Sequence, residues 1–170
     1  MWPIRARTGW RSVSEPGRTD APVPERVQFS VPPQGAYVPA VVPAVVHNGL
    51  AWTAGMTPRR RGELVVHGVV GLDVDVAAAR EAAGLAAGNA VTAVVEAVGG
   101  LAAVVRAVKM TVFIAAVDGF TAHSAVADGA STVLRERLGD RGVVARSAIG
   151  VRTLPSGAPV EVELVVAVAP

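Results

Sequence analysis

Arg146 stands inside an otherwise apolar run, ARSAIGV, and of all the side chains it most needs a partner. Alternation along an extended strand puts Arg146, Ala148, Gly150 and Arg152 on one face and Ala145, Ser147, Ile149 and Val151 on the other. A guanidinium in such surroundings has to find an anion, and its planar fork fits a carboxylate through two parallel hydrogen bonds. That anion is either a ligand's or the protein's own, with Glu161, Glu163 or a neighbouring subunit supplying the salt bridge. In VEVEL, Glu161 and Glu163 share a face while Val160, Val162 and Leu164 take the other, the pattern of a half-solvated strand. If the two strands pair symmetrically about residues 153–159, Arg146 faces Val166 and lies roughly 15 Å along the strand from Glu161, at about 3.3 Å per residue. One chain then leaves the two groups apart, and a site assembled between subunits would join them.

Competing chemistries lack their residues. No GxSxG elbow, phosphate-binding glycine loop or HExxH helix occurs, and Ser131 in DGAS has no base near it in sequence and reads as structural. With no cysteine, thiolate catalysis, disulfides and cysteine-ligated metals are excluded. His47, His67 and His123 are far apart and lack ligand spacing, so no metal site is expected. The sequence pI of about 9.9 suggests nucleic acid at first sight. However, residues 1–26 carry five arginines against three carboxylates, a surplus that accounts for the whole net charge of +2. The neutral remainder offers no phosphate track, and nucleic acid is not an expected partner. No apolar stretch reaches the roughly 20 residues of a membrane helix. The first twenty residues also lack the apolar run of a secretory signal, so the expectation is no membrane association and a cytoplasmic protein.

The elements that must position Arg146 and Glu161 follow from the remaining pattern. Residues 1–24, with four prolines among charged and small residues, read as a flexible Arg/Pro-rich arm in which Trp2 and Trp10 need a surface to dock on; residues 25–170 read as one domain. VPAVV and AVV, an Asn48-Gly49 turn and LAWTAG predict a hairpin. TPRRRGEL reads as a solvated loop leading to a short strand at 64–67. Asp75 is placed to cap a long helix that stops at Gly99-Gly100. Its packing face would be Ala79, Ala83, Ala86, Ala90, Val94 and Ala97, with Glu81, Gly84, Gly88, Thr92 and Glu96 as a small or polar stripe. VVRAVKMTVFIAAV is a strand, Asp118 a cap for a second helix closed by Gly139, and VVARSAIGV and VEVELVVAV two final strands, expected as antiparallel neighbours. The order is βββαβαββ, an α/β (α+β) fold with both helices on one face of a mixed sheet.

GAYVPAV near residue 35, HGVVG at 67–71, DGAS at 128–131, ARSAIGV at 145–151 and LPSGAPVEVEL at 154–164 occur in the order seen in the RidA/YjgF family, and from Pro24 onward the chain resembles it. The resemblance implies a chorismate-mutase-like subunit, a homotrimer with clefts between subunits, and cofactor-free hydrolysis of enamines and imines of small carboxylates to keto acid and ammonia. Carried over by motif, Arg146 would grip the substrate carboxylate, Glu161 would hold the hydrolytic water, Tyr37 would line the cleft, and the backbone at Ala148 would receive the imine nitrogen. Two positions depart from the family: Ala54-Gly55-Met56 stands where serine-glycine-glutamine is common, and Ser124 where asparagine is frequent. Both make the cleft less polar, which opens two alternatives: a trimer that binds small 2-oxo acids without turnover, and a specialised biosynthetic enzyme acting on an imine or enol. The ribonuclease activity ascribed to parts of the family ranks last, for want of a phosphate track.

Overall fold

The computed structural model describes residues 41–169. The proposed arm and Tyr37 lie outside the described residues. Strands β1 (Ala44–His47) and β2 (Leu50–Thr53) form the expected hairpin, with Asn48 (φ 48°) and Gly49 (φ 73°) both left-handed as a two-residue turn of that hand requires. The triple arginine is not a loop. Arg59–Arg60 (β3) and Glu63–Leu64 (β4) make a small ribbon around the left-handed pair Arg61-Gly62, apart from the main sheet, and this ribbon occupies the third β place in the order.

Helix α1 (Val76–Val98) begins as its sequence prescribes: Asp75 accepts a hydrogen bond from the Ala78 amide at 2.7 Å, and Gly99 (φ 78°) closes the far end. Strand β5 (Val104–Ala115), helix α2 (His123–Leu138), and strands β6 (Ala145–Val151) and β7 (Val160–Val168) complete the fold. Asp118 does not cap α2. A turn at Val117–Phe120, with Gly119 at φ 78°, delays the helix to His123, and its N-cap position is held by Ala122 without a side-chain bond.

The sheet order is β1-β2-β7-β5-β6, with β5 and β6 parallel and every other pair antiparallel. The final two strands are therefore not neighbours. The twelve-residue β5 lies between them, and the 153–159 connection crosses its end, where the Ala115 amide reaches Pro159 O and the Ala116 amide reaches Val151 O. A parallel β5–α2–β6 unit satisfies β5 on one edge and leaves its other edge for β7.

Both helices cover one face. Val112, Ile114, Val160, Val162, Leu164 and Val166 from the sheet meet the alanines of α1 and Val126, Ala130 and Leu134 of α2 in one buried cluster. Gly84 and Gly88 belong to that buried side, not to a polar stripe, while Ala97 is exposed. At the helix crossing, a Cβ on Gly84 would meet Val133, and one on Gly129 would strike the carbonyl oxygen of Arg80. Glycines let the two backbones touch. Glu81, Thr92 and Glu96 stay on the exposed side, and Asn89 donates to the carbonyls of Thr57 and Arg59 at 3.0 Å, tying α1 to the ribbon.

Candidate active site

Arg146 pairs across the ladder with Met110, a fully buried residue on the helix-covered face. Its side chain consequently points under α2. There one nitrogen, Nη1, donates to Asp128 Oδ1 and Ser131 Oγ, each at 2.8 Å. Its carboxylate partner is thus Asp128 of the same chain, and neither Glu161 nor Glu163. The DGAS motif acquires a meaning from this geometry: its first and last residues hold the arginine, and its glycine lets α2 settle on α1. Two hydrogens of Nη1 are thereby engaged. The Nε–Nη2 edge makes no hydrogen bond among the described residues, and the side chain remains 21% exposed, so that edge can receive a ligand.

Ser124, exposed in the first turn of α2, lies one turn before Asp128 on the same stripe of the helix. Ala148 pairs with Val112 and shares the helix-side face of β6 with Arg146 and Gly150. Gly150 has no room for a side chain because the His123 ring occupies the space, and His123 in turn meets Phe120 edge-on with ring centroids 5.0 Å apart. A cavity of about 300 Å³ opens beside these residues, bounded by Asp118, Phe120, His123, Gly150 and Arg152. Arg146, Ser124 and Ala148 thus belong to one region, the seam between α2 and the edge strand β6.

Glu161 belongs elsewhere. It pairs with Phe113, alternates with the buried Val160 and Val162, and so projects from the uncovered face of the sheet. Its carboxyl group lies against Gly55, where any side chain would collide with Oε1. Burial, reinforced by the charge of Glu163, pushes the carboxyl above its ordinary pKa. Arg146 and Glu161 stand on opposite faces with β5 between them; three residues of offset and two strand spacings separate their Cα atoms by on the order of 14 Å. Within one chain the two side chains do not meet.

Of the remaining motifs, HGVVG and LPSGAP form one structural joint. The Gly68 amide donates to Gly157 O at 2.9 Å, His67 Nδ1 lies 3.3 Å from Ser156 O, and Arg59 Nη2 donates to Ser156 Oγ at 2.9 Å. No His, Asp and Glu group among the described residues is arranged to hold a metal ion, and no described helix is long and apolar enough to cross a membrane. Asp128 is the residue that reading along the sequence passed over, because its link to Arg146 spans a helix and a strand; the i, i+3 spacing of Asp128 and Ser131 was the available signal.

Comparison with known proteins follows the same outline. The chain is 33% identical over 156 residues to Protein TCP17 of Trypanosoma cruzi, covering 91% of this chain and 97% of that one. Among solved structures, Atu1372 of Agrobacterium tumefaciens superposes with a TM-score of 0.74 at 37% identity, covering 79% of this chain and 86% of that one. TdcF of E. coli, solved with bound serine, superposes with a TM-score of 0.54 at 25% identity, over 80% of this chain and 92% of its own. The family model for Endoribonuclease L-PSP matches residues 29–168, and the chain belongs to that family, the family of RidA and YjgF.

Proposed function

We propose that the protein hydrolyses imines and enamines of small carboxylates in clefts between the subunits of a homotrimer. The observation that carries this reading is the guanidinium of Arg146, fixed at Nη1 and open along its Nε–Nη2 edge, the geometry that takes a carboxylate in two parallel bonds. Serine in TdcF is a small carboxylate bound by a relative, in keeping with such a ligand. Glu161 supplies the second function. Its carboxyl group, whose neutral form is favoured by burial and by Glu163, can accept a proton from water as the water oxygen bonds to the imine carbon and pass it to the nitrogen, giving a carbinolamine; it then takes the hydroxyl proton and delivers it to the nitrogen as the C=O bond forms, the C–N bond breaks and ammonia leaves. Because the two groups face opposite sides of the sheet in one subunit, the cleft joins Arg146, Ser124 and Ala148 of one subunit to Glu161 of another. Tyr37 completes the wall in this proposal, and no cofactor takes part.

The test couples the protein to an amino-acid oxidase that releases 2-imino acids, with semicarbazide as the trap. Wild type is expected to suppress trapping and Arg146→Ala to lose at least about a hundredfold of that activity. Equal trapping with and without wild type would remove the hydrolase reading. In its place would stand a trimer that binds 2-oxo acids without turnover, a reading favoured by Met56: it exchanges backbone hydrogen bonds of 2.9 Å with Val162, packs on the core and brings no polar group to Glu161. Saturable binding without turnover is its signature. Nucleic acid finds no support in the described residues, whose charge is zero, with eleven Arg and Lys against eleven Asp and Glu.

A further inference from the structure

Asp128 is an acid placed at the very group proposed to bind an acid. Its carboxylate takes Arg146 Nη1 at 2.8 Å, half exposed at 51%, and it is the only charged side chain paired with Arg146 among the described residues. Two physical consequences follow. First, Nη1 cannot turn toward a ligand, so the arginine offers only its Nε–Nη2 edge, in a plane set jointly by Asp128 and Ser131. Second, the pair is formally neutral. One incoming carboxylate gains the two hydrogen bonds of the free edge, whereas a second carboxylate on the same small molecule meets the charge of Asp128. Arg152 lies just past the end of β6, six residues from Arg146 and roughly 20 Å along the chain at about 3.3 Å per residue, beyond the span of a small dicarboxylate.

We infer that Asp128 and Ser131 are positioning residues for Arg146, and that Asp128 in addition restricts the site to monocarboxylates. This inference rests on the proposed role of Arg146 as the carboxylate anchor. It assigns the two residues separate effects: Ser131 fixes orientation without adding charge, while Asp128 contributes both.

Titration calorimetry with 2-oxobutyrate and 2-oxoglutarate separates these effects in the full chain. Wild type is expected to bind the monoacid about tenfold or more tightly than the diacid, and Arg146→Ala to lose both. Asp128→Asn, which keeps the shape and removes the charge, is expected to bring the two affinities to within about threefold of each other. Ser131→Ala is expected to weaken both acids by about the same factor and leave their ratio unchanged. A merely structural role for Asp128 would not move the ratio, and a melting curve for each variant reports any loss of fold separately. Binding that depends on Arg146 but shows an unchanged ratio in Asp128→Asn overturns this inference and leaves the anchor in place. Binding that survives Arg146→Ala, or no binding by wild type, overturns both.

Discussion

Glu161 is surrounded by groups that favour its neutral form, and that preference is a statement about stability as well as chemistry. Burial and the neighbouring Glu163 raise its pKa in the folded protein. The folded state therefore binds this proton more tightly than the unfolded chain does. The resulting stabilisation is fully present below the ordinary carboxyl value of about 4.3 and is lost as pH rises through the folded value. Glu161→Gln, which cannot ionise, is expected to melt higher than wild type at pH 7 to 8, with the difference closing toward pH 4; a gap of constant size across that range would dismiss desolvation as its cause. Gly55→Ala probes the same carboxyl from the other side. The new methyl meets the end of a flexible side chain, so melting changes little, but it displaces the carboxyl, and activity in the imine-trapping assay is expected to fall on the order of tenfold to a hundredfold. Residue type alone points to Arg146, since an isolated charge in an apolar strand is visible in one dimension, whereas Glu161, one of two carboxylates in a half-solvated strand, stands out only through the resemblance of its motif to the family. That Asp128 answers Arg146, and that Gly55 makes room for Glu161, depends on which elements touch.

Local signals specified most elements where the determining contacts are short-range, with Asp118, displaced from its helix by the turn at Val117–Phe120, as the exception. Asn48-Gly49, Asp75 and the pair Gly99-Gly100 each act within a turn, and each appears where its chemistry predicts. The ribbon at Arg59–Leu64 was missed because three arginines suggest a solvated loop, while Arg61-Gly62 is in fact a tight turn whose flanks pair. The pairing of the last two strands was misjudged for a different reason. A connection of seven residues resembles a hairpin loop, and nothing within it shows that β5 runs between the strands it joins. Gly84 and Gly88 of α1 read along the sequence as part of a small or polar stripe because the residues they face belong to α2, a separate helix. Gly129→Ala tests that contact: the added methyl has only the Arg80 backbone to displace, and a rigid carbonyl does not yield as a side-chain tip does. The expected cost is about 3 kcal/mol, seen as a fall in melting temperature of about 6 °C or more.

At the scale of the whole molecule, the uncovered face of the sheet shows apolar side chains to solvent, with Val45, Trp52 and Ile149 between 40% and 54% exposed and Ile149 flanking the same Phe113 as Glu161. Apolar side chains gathered on one sheet face suit a contact between proteins. In the proposed trimer, a neighbour seated there would bring its own β6 edge and Arg146 toward Glu161, as the proposed shared cleft requires. Ile149→Glu is accordingly expected to run as a monomer in analytical ultracentrifugation with its circular dichroism intact, and to lose activity although neither Arg146 nor Glu161 has been touched. The stricter experiment mixes two inactive proteins. In trimers co-expressed from equal amounts of Arg146→Ala and Glu161→Gln, a cleft is whole when the subunit giving the arginine is the glutamine variant and the subunit giving the glutamate is the alanine variant. Random assembly makes that combination in about a quarter of clefts, so about a quarter of the wild-type activity should return. If the two residues acted within one chain, every chain would carry a defect and no activity would return, so the yield of the mixture decides whether this sheet separates the halves of one site or the site lies elsewhere.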